Sequence, residues 1–128
     1  MKLLIDAHSV IWAVDNPAEF GPQAVLTLLD TNNELLMGAG TLWELAIKVG
    51  LGKLTLSLPF KQWMTQAIAD LGLLILPITI EHADVQTRLQ MHHRDPFDRL
   101  LVAQASVEHM QVVSADVIFD QYGVPRIW

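Results

Sequence analysis

No cysteine occurs among the 128 residues. That removes disulfide frameworks and thiolate metal sites together, and it fits a reducing, cytoplasmic setting. Charge is scarce too. Only 8 residues are Lys or Arg against 14 acids, a net −6, so the chain lacks the basic surface needed to coat nucleic acid electrostatically. Cleavage of nucleic acid is not excluded, because setting aside four acids as metal ligands leaves only −2. Long apolar runs are missing as well. The N-terminal run stops at Asp6, and the longest, 71–80, is broken by Gly72 and Pro77. Neither a signal peptide nor a membrane span is expected, and 71–80 reads as a buried strand. There is no Gly-rich phosphate loop, since Gly38-Ala39-Gly40 is too short. No pair of histidines with a nearby glutamate has zinc-hydrolase spacing on a helix, and Ser9 stands on no nucleophile elbow.

What is present is apolar and of one-domain size. Hydrophobic residues make up 52% of the chain, and the mean hydropathy is +0.33. A domain this small cannot hide so much apolar surface alone, so a homodimer and a bound partner are expected, within a single domain spanning 1–128. Apolar runs and helical patterns alternate. Strands are expected at 2–5, 34–37, 73–76, 111–113 and 124–127. Helices are expected at 7–14, 22–30, 41–49, 59–71, 80–91, from Asp95-Pro96 to about 109, and at 115–119. Such alternation implies α/β architecture: a short, mainly parallel sheet covered on both faces.

Four carboxylates fall where an apolar run ends or a helix begins: Asp6, Glu44, Asp98 and Asp116. In an open α/β sheet those are the places where loops gather over the carboxyl ends of strands. If they converge, their mutual repulsion demands protons or a cation. An all-oxygen cluster favours Mg²⁺ or Mn²⁺, which points to metal-assisted phosphodiester hydrolysis. Each acid also has a plain local reading. Asp6 is a natural helix cap. Glu44 completes a capping box with Thr41 and can pair with Lys48 one turn on. Asp98 lies in the first turn of a helix capped by Asp95, so the two acids compete for one role. Asp116 follows Ser114, itself a natural cap. Lys48 and Arg99 are candidates to meet phosphate. Trp12, Trp43 and Trp63 read as core or interface rather than as base-stacking surfaces, and His92-His93-Arg94 as a solvated loop.

Taken together, Leu4-Ile5-Asp6-Ala7-His8, Leu42-Trp43-Glu44-Leu45-Ala46-Ile47-Lys48, Leu51-Gly52-Lys53-Leu54, the run His92-His93-Arg94-Asp95-Pro96-Phe97-Asp98-Arg99-Leu100-Leu101, Ser114-Ala115-Asp116 and Tyr122-Gly123-Val124-Pro125 resemble a PIN domain of the VapC toxin type. The resemblance implies a three-layer α/β/α sandwich. It also implies an endoribonuclease dependent on Mg²⁺ or Mn²⁺, and a cognate antitoxin that blocks the site. It carries metal-ligand and catalytic roles onto Asp6, Glu44, Asp98 and Asp116. It prefers Asp98 to Asp95, which becomes a cap or supporting group, and it matches Ser114 to the family's hydroxyl residue. One departure stands out: the family usually has Thr or Ser directly after the first acid, and here that residue is Ala7. A catalytically impaired binding module of the same fold is therefore the alternative. A phosphoacceptor receiver domain is a further one, though it wants a second acid beside Asp6 and a lysine after a late strand, and neither is present.

Overall fold

The computed structural model describes every residue, Met1–Trp128. Five parallel strands, β1 (Lys2–Ile5), β2 (Glu34–Gly38), β3 (Leu74–Leu76), β4 (Gln111–Val113) and β5 (Arg126–Ile127), lie in the order β3-β2-β1-β4-β5. The helices are α1 (Ala7–Asp15), α2 (Pro22–Leu29), α3 (Ala39–Gly50), α4 (Phe60–Leu71), α5 (Ile80–Thr87), α6 (Pro96–Glu108) and α7 (Ile118–Gln121). β1 is central, and Leu3, Leu4 and Ile5 are fully buried. Alternation along the strands sends side chains to opposite faces. Leu3, Ile5, Met37 and Val113 join Val10, Leu45 and Trp63 on one side of the sheet. Leu4, Leu36 and Val112 join Leu101, Val102 and Phe119 on the other. The result is the expected α/β/α sandwich, with a core on each face.

Strand order fixes where chemistry can happen. The chain lays β1, β2 and β3 in one direction, then returns to place β4 and β5 on the other side of β1. The β1/β4 boundary is thus the topological switch point, where adjacent connections leave in opposite directions and open a crevice. Residue 6 follows β1 and residues 114–116 follow β4, so both segments flank that crevice.

Several elements differ from expectation, each for a physical reason. β3 is an edge strand, not a buried one, and leaves Leu74 and Ile75 exposed. α3 starts at Ala39 with Gly38 as its cap, so Thr41 lies inside the helix and no Thr41–Glu44 capping box forms. Gly40 lets α3 approach α6 closely: a Cβ there would stand 2.4 Å from Leu100 Cδ2. The helix expected over 80–91 ends at Thr87, and beyond it the Leu89 and Gln90 carbonyls turn to accept from the Arg99 guanidinium. The helix expected over 115–119 runs instead over Ile118–Gln121, and Ser114 does not cap it. Ser114 Oγ accepts from the Asp116 N–H and Asp116 Oδ1 from the Ile118 N–H. Such side-chain turns compete directly with helix formation. The last strand shortens to Arg126–Ile127.

Candidate metal-binding site

Asp6 caps α1. Its Oδ1 accepts from the Ser9 N–H at 2.9 Å, and its Oδ2 accepts from the Ser114 hydroxyl across the β1/β4 boundary. Ser114 is fully buried, and its Oγ also accepts from the Asp116 N–H at 3.0 Å. One hydroxyl thus sets the position of both acids. Asp6, His8, Trp12, Ala115 and Asp116 line a shared cavity of about 280 Å³. Asp6 is nearly buried and Asp116 is exposed. The hydroxyl missing at Ala7 is not supplied by Ser9, whose Oγ donates to the Val113 carbonyl at 3.2 Å. The one hydroxyl that reaches Asp6 is that of Ser114, the residue after β4.

Glu44 and Asp98 form a second pair. Glu44 projects from α3 and is 6% exposed. Lys48 Nζ donates to its Oε2 at 2.6 Å, and that bond lifts the lysine above its ordinary pKa against the opposing effect of burial, with Asp95 and Asp98 also near enough to contribute. Asp95 caps α6, accepting from the Phe97 and Asp98 N–H groups at 2.8 and 3.1 Å. That cap turns Asp98 inward. Burial, then the Asp95 charge, push the Asp98 carboxyl up to about 6; Glu44 adds to the rise, and the bond from His93 opposes it.

His93 is held in turn. Arg99 donates to the Tyr122 hydroxyl at 3.1 Å, Tyr122 lies 2.8 Å from His93 Nδ1, and His93 Nε2 lies 3.2 Å from Asp98 Oδ2. The acceptor-only carboxylate favours Nε2–H facing it, which leaves Nδ1 to accept from the Tyr122 hydroxyl. Arg99 is 5% exposed and is occupied by the Leu89 and Gln90 carbonyls as well. It supports the loop and does not face a phosphate. His93, read from sequence only as part of a solvated loop, is half-buried against Asp98. Tyr122 carried no chemical signal of its own.

The four acids therefore meet as two pairs, Asp6 with Asp116 and Glu44 with Asp98. No three acidic or histidine side chains come together as a cage for one ion. The donor chemistry nonetheless fits a hard divalent cation. Mg²⁺ keeps several of its waters and is commonly bound by one or two carboxylates together with substrate oxygens, rather than by an all-protein shell. Asp98, half-buried beside two other acids, is where added positive charge would relieve most repulsion.

A family model described as "PIN domain" matches residues 3–125. No protein of curated function matches the chain. A chain of VapBC2 from Rickettsia felis, bound to a DNA fragment from their promoter, superposes with a TM-score of 0.72 at 18% identity, covering 98% of this chain and 97% of that one. A chain of DNA-bound VapBC from Salmonella typhimurium gives 0.70 at 18% identity, over 98% and 96%. A chain of FitAcB from Neisseria gonorrhoeae gives 0.63 at 21% identity, over 97% and 95%.

Proposed function

This chain belongs to the PIN domain family, and from that premise we propose that it is a Mg²⁺- or Mn²⁺-dependent endoribonuclease, the toxin of a VapC-type toxin–antitoxin pair. The observation that carries the reading is the half-buried Asp98 carboxyl, crowded by the charges of Asp95 and Glu44 with His93 as its one side-chain hydrogen-bond partner, a place where a cation would offset the repulsion. Asp6 and Asp98 would be the leading ligands, each within its own pair, and Glu44 and Asp116 would act through waters of the ion or ions. A bound divalent ion lowers the pKa of a coordinated water and offsets charge on the phosphorane-like transition state.

The protein's own groups set the geometry. Ser114 fixes Asp6 and Asp116 relative to each other. The Arg99–Tyr122–His93 chain orients Asp98. Lys48 neutralises Glu44 in the free enzyme and is half-exposed at 37%, so its ammonium can swing to a phosphate oxygen once the ion takes over that charge. Ser114, the hydroxyl residue that the family resemblance already assigns, holds Asp6 in place, which favours the catalytic reading.

The antitoxin is supported by the family's solved complexes with the same fold and by the surface. Trp43 and Ile47, one turn apart on α3, and Leu51, which caps its C-terminus, are 65%, 37% and 65% exposed, a stripe that water alone would not favour. A partner helix, or a second copy of this chain, would cover it, and a basic side chain from the antitoxin would complement the acids. No helix is long and apolar enough to cross a membrane.

The test is cleavage of single-stranded RNA by the native chain and by Asp98→Asn with Mn²⁺, Mg²⁺ or EDTA. Cutting that requires the metal and is lost in the variant is the expected result. Cutting that survives chelation, or none with excess Mn²⁺, overturns the reading.

A further inference from the structure

Beside the Asp6–Asp116 pair stands an aromatic ledge that the hydrolytic chemistry does not use. His8 and Trp12 are one turn apart on α1, with ring centroids 5.7 Å apart and planes inclined at 46°. Both line the cavity of about 280 Å³ that also holds Asp6 and Asp116. His8 is exposed and Trp12 half-buried. Trp12 is braced from behind: its ring centroid lies 5.5 Å from that of Trp128, which packs at 5.2 Å on Phe20. Trp128 closes over Gly21 so tightly that a Cβ there would sit 2.6 Å from its carbonyl carbon. Two inclined aromatic rings, one exposed and one half-buried and packed on Trp128, therefore stand at the edge of an acidic crevice.

Charge gives a nucleic acid little to hold here, with Lys2, Lys53, Lys61 and Arg94 as the exposed basic side chains outside any ion pair and the net charge at −6. The chain has only 8 Lys and Arg residues. Arg88 pairs with Asp84, Arg126 with Asp120, Lys48 with Glu44, and Arg99 is buried. A single strand can instead be held by stacking its bases on aromatic rings, which tolerates sequence and needs no cation. A nucleotide carries both a flat π-face and a phosphate, and this cavity offers a ledge for the first beside carboxylates suited to a phosphate-binding ion. A dry protein interface would gain little from the exposed imidazole of His8.

We propose that the His8–Trp12 ledge is a nucleobase subsite, taking the base next to the scissile phosphate by stacking. The proposal rests on the nuclease reading above for its phosphate and ion. It fixes how substrate is gripped, and it assigns Trp12 to ligand rather than to core.

The experiment titrates the Mg²⁺-loaded chain with adenosine 5′-monophosphate, uridine 5′-monophosphate and ribose 5-phosphate. NMR follows the Trp12 indole N–H and the base protons. The native chain is expected to prefer either nucleotide over ribose 5-phosphate by roughly tenfold, the scale of one base–aromatic stack, with the base protons moving upfield. His8→Ala and Trp12→Leu should lose that preference while keeping ribose 5-phosphate binding. In cleavage, an abasic nucleotide beside the cut should raise KM about tenfold for the native chain and leave it unchanged for Trp12→Leu. His8→Ala alters an exposed side chain and keeps the test meaningful if Trp12→Leu fails to fold. Equal binding of nucleotide and ribose 5-phosphate by the native chain overturns the proposal, and that is the outcome if the ledge serves only a protein partner. A preference that survives His8→Ala and, where it folds, Trp12→Leu overturns it too. RNA cutting without base preference refutes the ledge and spares the nuclease. Base preference without metal-dependent cutting does the reverse.

Discussion

Replacing Asp98 by asparagine should stabilise the metal-free protein while abolishing its response to Mg²⁺. In the native fold the carboxyl is raised from 3.8 to about 6, first by burial and then by Asp95. The sign follows from linkage. A raised acid favours the folded state in its protonated form, so that contribution is complete below about pH 4 and is lost as pH rises through about 6. At pH 7.5 ionised Asp98 therefore works against the fold. The shift corresponds to about 3 kcal/mol as a ceiling. The side chain is 24% exposed, so solvent screening brings the expected gain of Asp98→Asn to roughly 1–3 kcal/mol. For a domain of this size that is a rise in Tm of about 4–12 °C. Calorimetric melts in EDTA at pH 7.5 and pH 4 measure it, and the difference between the two proteins should vanish at the lower pH. Adding Mg²⁺ at a hundred times its Kd should then stabilise the native chain by about 2.7 kcal/mol and the variant far less. Asp95→Asn is the contrast, because that acid is a helix cap. The reasoning fails if Asp98→Asn melts below the native protein in EDTA at pH 7.5, or if Mg²⁺ shifts both equally.

Ser114→Ala removes the one hydroxyl that joins Asp6 to Asp116, and the loss should be 10- to 100-fold in kcat or metal affinity with the fold retained; steady-state kinetics and Mn²⁺ titration read it. Lys48→Met deletes the cation on Glu44, and Mn²⁺ should bind about fivefold tighter by calorimetry as the competing charge disappears, while cleavage slows if the ammonium moves to phosphate. Gly38→Ala places a Cβ 2.6 Å from Gln104 Oε1, which is buried and donates through its Nε2 to the Pro77 carbonyl. Urea melts should show a loss of about 1–3 kcal/mol, the usual cost of overpacking.

The sheet and most helices were legible because local signals agreed with tertiary need. Pro22 sits at the start of α2, Asp95-Pro96 opens α6, and Gly72 ends α4 in the left-handed region at φ 62°. Several of the failures depended on a residue distant in sequence. Nothing in 71–80 says that β3 lies at the edge, because strand order decides its burial. Nothing in 80–91 reveals that Arg99, on another helix, takes the carbonyls that follow Thr87. Ser114 looked like a cap because Ser before a helix usually is one. Its actual partner, Asp6, lies 108 residues away. Trp12 read as core or interface from its helical position, and only the fold sets it beside Asp6 and Asp116.

The same contrast explains why the acids could be named but not grouped. Their positions follow from chain direction, since parallel strands all deliver their carboxyl ends to one edge. Their pairing follows from which strands are neighbours and from what each carboxylate already holds. Asp6 has two donors, Ser9 N–H and Ser114 Oγ–H. Glu44 has Lys48, and Asp95 has two backbone N–H groups. Asp116 has the Ile118 N–H and open solvent. Asp98 has only His93, at 3.2 Å, while burial and two acids press against it. Four of the five carboxylates are thus settled by the protein, and the deficit gathers on the fifth. A divalent ion drawn to Asp98 would also be drawn toward Glu44, and Lys48 would then be free to leave. On the nuclease reading proposed above, this imbalance centred on one residue is where a cation would be most welcome, without the fold having to build a closed cage.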